Sequence, residues 1–441
     1  MTHPIPPGGV VEHDDVTLLA VGAGPANLAL AVALEELAPE VAADTLIVEQ
    51  YDNVVWQRGM LLPWTQSQVS FLKDLVTLRN PRSEYSFINY LHAVHRLDDF
   101  VNLGSFTPYR LEISHYLAWV AEHLRQVRID YARRCVGVEP LRDEQGVVNR
   151  WSVSFADGSR VVCRILVLGA GRDVHVPAEF AGLARERVIH STEYAWRAEE
   201  LDPTTPHRIV VVGGAQSAAE MLWSAYQRFP QATCTMVMRS IGLNAYESSK
   251  FTNELFYPSF VDVFHRARPD ARDQLLREMH RTNYSGLAPA TLDMLYREIY
   301  LGRLTGRQRI DMVTMFDVAD AAMDGDEVAL TLSDRRTGDS RELRCDVVLL
   351  GTGFARGVPR FVQDLAASAG AGEVTVNREY RLNLPPQVSA ACYLQGVNES
   401  THGIADSLLS VLAVRSEEIV SDLLTHLLET TTKRPTALAG R

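Results

Sequence analysis

A chain of 441 residues, 46% hydrophobic and 22% charged, has the composition of a globular protein with room for two or three domains and a large buried core. Its formal net charge of −12 argues against a nucleic-acid partner, which wants a basic face, but leaves room for a small anionic cofactor held by a local site. Cys135, Cys163, Cys234, Cys345 and Cys392 are odd in number, scattered and without a C-x-x-C pair, so neither a disulfide framework nor a metal site is expected, and a reducing cytoplasm suits them best.

The first fifteen residues, MTHPIPPGGVVEHDD, lack a basic-then-apolar signal pattern and are expected to form a short flexible leader. No apolar run is long enough for a membrane span. Val16–Val21 then reads as a buried strand running into the turn Gly22-Ala23-Gly24-Pro25-Ala26-Asn27, with a helix over Leu28–Leu34. A dinucleotide phosphate would here meet a helix N-terminus. Gly22 permits the tight turn, Gly24 lets backbone approach a pyrophosphate, and Asn27 stands at the third glycine position. Alone, such a turn is equally an ordinary strand–helix connection. Thr45–Val48 forms a second strand ended by Glu49, 25 residues after Gly24, near the spacing at which an acid takes ribose hydroxyls; a solvated charge is the alternative.

Residues 52–112 fit no strand–helix alternation. They are dense in aromatic, proline and polar residues, and a long irregular segment in a compact protein is usually functional. Lys73 sits inside the apolar run Val69–Leu75, where it needs a partner unless it lies at the surface. A helix follows over Tyr116–Leu124. A hairpin is expected from Trp151–Phe155 and Val161–Cys163 about Asp157-Gly158, then an apolar strand Ile165–Leu168 ending at Gly169-Ala170-Gly171. The connection Asp202-Pro203 to Thr205-Pro206 suggests a domain boundary.

The opening pattern then returns 191 residues after Gly22: the strand Arg208–Val212, the turn Gly213-Gly214-Ala215-Gln216-Ser217-Ala218 and a helix over Ala219–Tyr226. The next strand, Cys234–Met238, ends in Arg239, at the place corresponding to Glu49. An arginine there suits a 2′-phosphate, hence NADPH; a surface arginine is the alternative. Residues 243–305 have helical patterning. Strands resume at Glu327–Leu332 and Asp346–Leu350, the latter entering Gly351-Thr352-Gly353-Phe354, and a helix over Ser407–Leu428 closes the chain. The duplication, one half ended by an acid and the other by an arginine, implies FAD in the first half and NADPH in the second. The expected fold is α/β, with two Rossmann-like dinucleotide-binding domains and a small, mostly helical insertion. The FAD domain is expected over 1–205 and 346–441, the NADPH domain over 206–242 and 306–345, and the insertion over 243–305.

Five blocks carry a family resemblance: GMLLPWTQSQVSFLKDLVTLRNPRSEYSFINYL (59–91), GGAQSAAE (213–220), FTNELF (251–256), TNYSG (282–286) and HGIADSLLSVLAVR (402–415). In these the chain resembles the flavin-dependent N-hydroxylating monooxygenases, the L-ornithine N5- and L-lysine N6-hydroxylases of siderophore and related natural-product pathways. The resemblance implies that NADPH reduces FAD, that the reduced flavin and O2 form a C4a-hydroperoxide, and that a neutral side-chain amine of the substrate takes the distal oxygen.

Carried onto this chain, the resemblance puts Lys73 at the substrate α-carboxylate and Asn253 at its α-amino acid end. Ser410 falls on the pocket wall near the flavin and Gln68 beside the isoalloxazine. Asn283 falls between NADP+ and substrate, and Ser217 and Arg239 on NADPH. Catalysis is thereby expected of Asn283 and Gln68. The expected cofactor-binding set is Gly22, Gly24, Pro25, Asn27, Glu49, Gln68, Gly213, Gln216, Ser217, Arg239, Asn283 and Gly353. Asn253 would otherwise cap a helix, Ser410 bond within its own helix and Gln68 lie on a loop surface.

Two departures stand out: Ala215, where a third glycine is common, and the stretch GLNAYESSK (242–250), which differs from the acidic, serine-rich loop usual there. L-ornithine is the leading substrate, with L-lysine next, since a hydrophobic pocket discriminates one methylene by only about 1–3 kcal/mol. A diamine would leave Lys73 without a carboxylate, and an NADPH oxidase releasing only H2O2 is the non-hydroxylating alternative. The expected partners are an amino acid and O2, with no nucleic acid or membrane, in a homo-oligomer that family analogy makes a tetramer.

Overall fold

The computed structural model describes residues 14–284 and 286–432; the leader 1–13, Ser285 of the TNYSG block and residues 433–441 lie outside the described residues. A mixed sheet with a parallel centre and a fully parallel sheet dominate. The first joins β1 (Asp14–Val21), β2 (Thr45–Val48), β3 (Arg128–Asp130), β4 (Cys135–Arg142), β5 (Val148–Phe155), β6 (Arg160–Leu168) and β15 (Ala391–Leu394), in the order β3-β2-β1-β6-β5-β4 with β15 on β6. The second joins β7 (Val188–His190), β8 (Arg208–Val212), β9 (Thr233–Met238), β10 (Ile310–Thr314) and β14 (Val347–Leu350), in the order β10-β9-β8-β14-β7. A small antiparallel sheet holds β11 (Phe316–Asp324), β12 (Glu327–Asp334) and β13 (Ser340–Cys345).

The central strands are continuous apolar runs because parallel sheets are covered on both faces. Leu18 and Ala20 face a core shared with Leu28–Leu34, whereas Leu19 and Val21 face a second core around Trp151. Besides pairing with β1, β6 is long enough to serve two further neighbours: its first half pairs antiparallel with β5 and its second half parallel with β15.

Eight helices position the site: α1 (Pro25–Leu37), α2 (Arg110–His123), α3 (Gln216–Arg228), α4 (Lys250–Glu254), α5 (Pro258–Arg266), α6 (Pro269–Asn283), α7 (Pro289–Thr305) and α8 (Leu412–Thr432). Of these, α4–α7 make up the helical insertion. Among the described residues no helix is long and apolar enough to cross a membrane.

Three expectations change. β7 and β14 were assigned by sequence to the FAD segments, but both pair in the second sheet, with Val188 opposite Val348 and Val347 opposite Ile209. The chain therefore passes between sheets after Leu168 and again after Leu350, at the two glycine turns. The Asp202–Pro206 stretch is a local turn in which Asp202 Oδ1 accepts from the Thr204 amide at 2.9 Å, with strands of one sheet on either side of it. An apolar run such as DVVLL suits either sheet, so only pairing assigns it. Finally, the closing helix starts at Leu412 and not Ser407. Two 3₁₀ turns, Ile404–Ser407 and Leu409–Val411, precede it, separated by Leu408 in extended conformation.

Candidate active site

Two glycine turns lie at the carboxyl edges of the two sheets, and they are built alike. Gly22 has φ +92°, and a Cβ on it would stand 2.9 Å from the carbonyl oxygen of Gly169, the residue after β6. Gly213 has φ +140°, and a Cβ there would stand 2.6 Å from the carbonyl oxygen of Gly351, the residue after β14. Each first glycine is thus required by the glycine ending the neighbouring strand. Gly24 and Ala215 are the N-caps of α1 and α3, both extended, and neither helix receives a side-chain cap from its N-cap residue. The first-turn amides of both helices, beginning after Pro25 in α1 because proline carries no N–H, therefore remain available to an anion, as a pyrophosphate needs. Space around Gly24 is open to 4 Å, and the extended backbone at Ala215 suits any residue, so alanine there brings no strain.

The third position of the first turn is a brace. Asn27 Nδ2 donates to the Val21 and Gly22 carbonyls at 2.9 and 2.7 Å, and Asn27 Oδ1 accepts from Gln395 Nε2 at 2.8 Å. Gln216 is similarly occupied: Nε2 donates to Glu220 at 2.8 Å and Thr291 at 3.1 Å, and Oε1 accepts from the Ala288 amide at 2.9 Å. Both are expected to lie at cofactor turns, and in the structure their side-chain amides are occupied by protein partners.

Glu49 follows β2 directly and accepts the Ala23 amide at 2.8 Å, which places its carboxylate against the first turn. Arg239 follows β9 in the corresponding place. Its neighbours Met238 and Ser240 both lie against Gly214, and Arg239 itself is exposed. Gly353, at φ +72°, offers its carbonyl to the His175 amide at 3.0 Å.

Lys73 is half-buried in the irregular segment after β2. Its Nζ stands 4.4 Å from the centre of the Tyr257 ring, between α4 and α5, and among the described residues no carboxylate pairs with it. Burial pushes its ammonium below the usual lysine range. The loop is held by Asp74, which accepts the amides of Val76, Thr77 and Phe87 at 3.0, 2.6 and 2.8 Å. Lys73 shares a small cavity with Leu409, the residue before Ser410. Val261 of α5 packs with Ala405 and Val411 around that same 3₁₀ segment. The Lys73 segment, the junction between α4 and α5 that follows Asn253, and the segment carrying Ser410 therefore meet. Ser249, not Asn253, caps α4, accepting the Thr252 amide at 3.0 Å, and the Asn253 side chain is exposed. Ser410 is buried within a 3₁₀ turn. Gln68 is exposed on a segment pinned to the start of α2, where the Ser67 amide donates to Pro108 at 2.8 Å.

Asn283 ends α6, and its neighbour Tyr284 ties that end to the first sheet. Tyr284 Oη donates to Glu399 Oε2 at 2.8 Å and lies 3.3 Å from Ser407 Oγ. Arg172, four residues past β6, donates to the same Glu399 oxygen at 2.7 Å and to Tyr284 Oη at 3.3 Å. Burial raises the Tyr284 phenol above its usual range, which keeps it protonated as a donor. Sequence reasoning missed Arg172, Tyr284 and Glu399. The only signals were adjacency, Arg172 following Gly169-Ala170-Gly171 and Tyr284 following Asn283.

The chain matches the family model for L-lysine 6-monooxygenase/L-ornithine 5-monooxygenase over residues 14–356. It is 36% identical over 425 residues to an L-ornithine N(5)-monooxygenase of Pseudomonas aeruginosa, with 95% of each chain covered. A solved ornithine N-hydroxylase of Kutzneria sp. 744, holding reduced FAD, NADP+ and L-ornithine, superposes with a TM-score of 0.87 at 33% identity, over 94% of this chain and all of the other. A solved L-lysine 6-monooxygenase of Pseudomonas syringae gives a TM-score of 0.82 at 28% identity, over 93% of this chain and all of the other. FAD and NADPH are accordingly the cofactors, and the two uncapped helix N-termini fit them. With duplicated turns, an acid beside one and an arginine beside the other, this chain belongs to the L-lysine 6-monooxygenase/L-ornithine 5-monooxygenase family of flavin-dependent N-hydroxylating enzymes.

Proposed function

We propose that this protein hydroxylates N5 of L-ornithine, using NADPH and O2, for siderophore or related natural-product biosynthesis. The observation that carries the amino-acid reading is Lys73, a half-buried cation with an aromatic ring against it and no carboxylate partner among the described residues. A substrate α-carboxylate supplies the missing charge. Ornithine is favoured over lysine by the curated relative that covers 95% of the chain.

In this reading the turn at Gly22, Gly24 and Pro25 holds the FAD pyrophosphate at the N-terminus of α1. Glu49 takes the adenosine ribose, and Gln68 and Gly353 border the ring system. Gly213 and Ser217 hold the NADPH pyrophosphate, and Arg239 its 2′-phosphate. Bound FAD, reduced by NADPH, supplies the activation of O2. The chain's own residues bind and orient: Lys73 and Asn253 hold the amino-acid end, Ser410 lines the wall and Asn283 aligns the side-chain amine. The surrounding apolar side chains exclude water and favour the unprotonated amine.

The deciding experiment is hydroxylamine detection after incubation with NADPH, FAD and O2 and, separately, ornithine, lysine, putrescine and cadaverine. Ornithine is expected to give the largest kcat/KM. Equal or better turnover of lysine or a diamine overturns the substrate assignment, and H2O2 as sole product with every amine overturns the hydroxylation reading. For the cofactor, Arg239→Ala is expected to erode the NADPH-over-NADH preference about ten- to a hundredfold, the loss of one charge-assisted contact of about 1.5–3 kcal/mol. Full discrimination in the variant would move the 2′-phosphate site elsewhere.

We also propose a cytoplasmic homo-oligomer, a tetramer by family analogy. Free buried thiols at Cys163, Cys234, Cys345 and Cys392 suit a reducing compartment. The exposed row Tyr296, Tyr300 and Leu304 on α7 suits self-association.

A further inference from the structure

One buried ion pair crosses between the two halves of the molecule. Arg110, the first residue of α2, donates through Nη1 and Nη2 to Glu220 Oε2 and Oε1 of α3, both at 2.7 Å. The two side chains are 10% and 1% exposed. We propose that Arg110 and Glu220 are positioning residues that set the nicotinamide-bearing half of the active site against the flavin-bearing half for hydride transfer. The proposal rests on the two-cofactor reading above and is independent of which amine is hydroxylated.

The pair sits where three functional segments meet. The Arg110 amide donates to the Thr65 carbonyl at 2.9 Å, three residues before Gln68. Glu220 lies one helical turn beyond Gln216, at the N-terminal turn of α3 where the NADPH pyrophosphate binds, and accepts from Gln216 Nε2 at 2.8 Å. Gln216 in turn accepts the Ala288 amide at 2.9 Å, which holds the stretch just after Asn283. Met60 and Leu62, upstream of Gln68, are already packed into the core of the second sheet. A single bidentate contact thereby relates the Gln68 segment, the NADPH turn and the Asn283 segment.

Stability alone does not account for such a pair. A buried ion pair gives no more stability than well-packed apolar side chains of similar volume, because desolvation offsets the attraction. What two parallel hydrogen bonds add is direction. Hydride transfer needs that direction, since reacting atoms must stand about 3–3.5 Å apart and a displacement of about 1 Å costs on the order of a hundredfold in rate. Each dinucleotide is gripped by its own sheet, so the relation between the sheets is what the pair holds.

The test is anaerobic stopped-flow reduction of the FAD-loaded enzyme by NADPH, with no amine present. The apolar double variant Arg110→Met with Glu220→Leu removes both charges together and so leaves no unpaired buried ion. It is expected to retain FAD, to be reduced normally by dithionite and to bind NADPH with a Kd within about threefold of wild type. Its limiting rate of reduction by NADPH is expected to fall by about tenfold or more. A limiting rate equal to wild type overturns the proposal. Should the double variant not accumulate as folded protein, Arg110→Lys decides, since it keeps the charge but not the bidentate fork. A loss of about twofold or more at unchanged NADPH affinity supports the proposal, and a smaller loss overturns it. Failure of the wild-type enzyme to be reduced by NADPH at all would instead overturn the two-cofactor reading.

Discussion

Replacing Lys73 by alanine is expected to raise the apparent KM for L-ornithine about ten- to a hundredfold, the loss of one charge-assisted contact of about 1.5–3 kcal/mol. The reason lies in where the ammonium sits. It is half-buried, and burial already pulls it below the usual lysine range, so an anion beside it recovers solvation that the protein withholds. The Tyr257 ring at 4.4 Å stabilises the cation through its π face but leaves donors for a carboxylate. The turn proposed to hold FAD lies elsewhere, at Gly22, so flavin reduction by NADPH is expected to stay within about twofold of wild type. Putrescine lacks the carboxylate, and its KM is expected to be unaffected, so the preference for ornithine over putrescine collapses in the variant. Steady-state kinetics on the two amines checks this. An unchanged KM for ornithine would remove Lys73 from the substrate site.

The second large effect concerns the 3₁₀ segment that carries Ser410. Arg415 Nη1 donates to the carbonyl of Asp406 at 2.7 Å and to its carboxylate at 3.0 Å, and both side chains are fully buried. The other carboxylate oxygen accepts the Asn398 amide at 2.7 Å. The guanidinium lies 5.6 Å from the Tyr380 ring, which His402 stacks against at 4.1 Å. Asp406→Ala leaves Arg415 charged and unpaired in the interior. That is expected to cost about 3–5 kcal/mol, a large share of a typical stability of about 5–15 kcal/mol. For a chain this long it corresponds to a fall of about 3–5 °C in the unfolding midpoint. The double variant Asp406→Leu with Arg415→Met removes both charges and is expected to recover most of the loss. Thermal unfolding of the three proteins measures this. An Asp406→Ala protein as stable as wild type would show that the pair contributes nothing to the segment.

Legibility in the sequence followed the range of the interaction. Glu49 was readable as a neighbour of the first turn because it ends the strand beside β1, and spacing along one strand–helix–strand unit is local geometry. Arg239 was readable for the same reason. Asn27 was readable only as a variant of the third position. The structure explains it: its side-chain N–H donates to the carbonyls of Val21 and Gly22, and its side-chain oxygen accepts from Gln395, a residue 368 positions away. Gln216 was read as a cofactor contact from the same kind of local pattern. Its partners Thr291 and Ala288 lie more than seventy residues on, which no local pattern reports.

The sequence by itself determined the duplicated strand–turn–helix units, the acid and arginine that distinguish them, and the family blocks that point to amine hydroxylation. All of these are encoded in short-range spacing, because a turn, a helix N-terminus and a strand end are set by residues within one supersecondary unit. Tertiary structure alone decided that β7 and β14 belong to the second sheet, that Ser410 sits in a 3₁₀ turn, that Arg172 and Glu399 receive Tyr284, and that Arg110 reaches Glu220. Those outcomes depend on which apolar faces and which charges meet across the fold. A buried strand reads the same wherever it pairs, and an arginine carries no local mark of the carboxylate it will find.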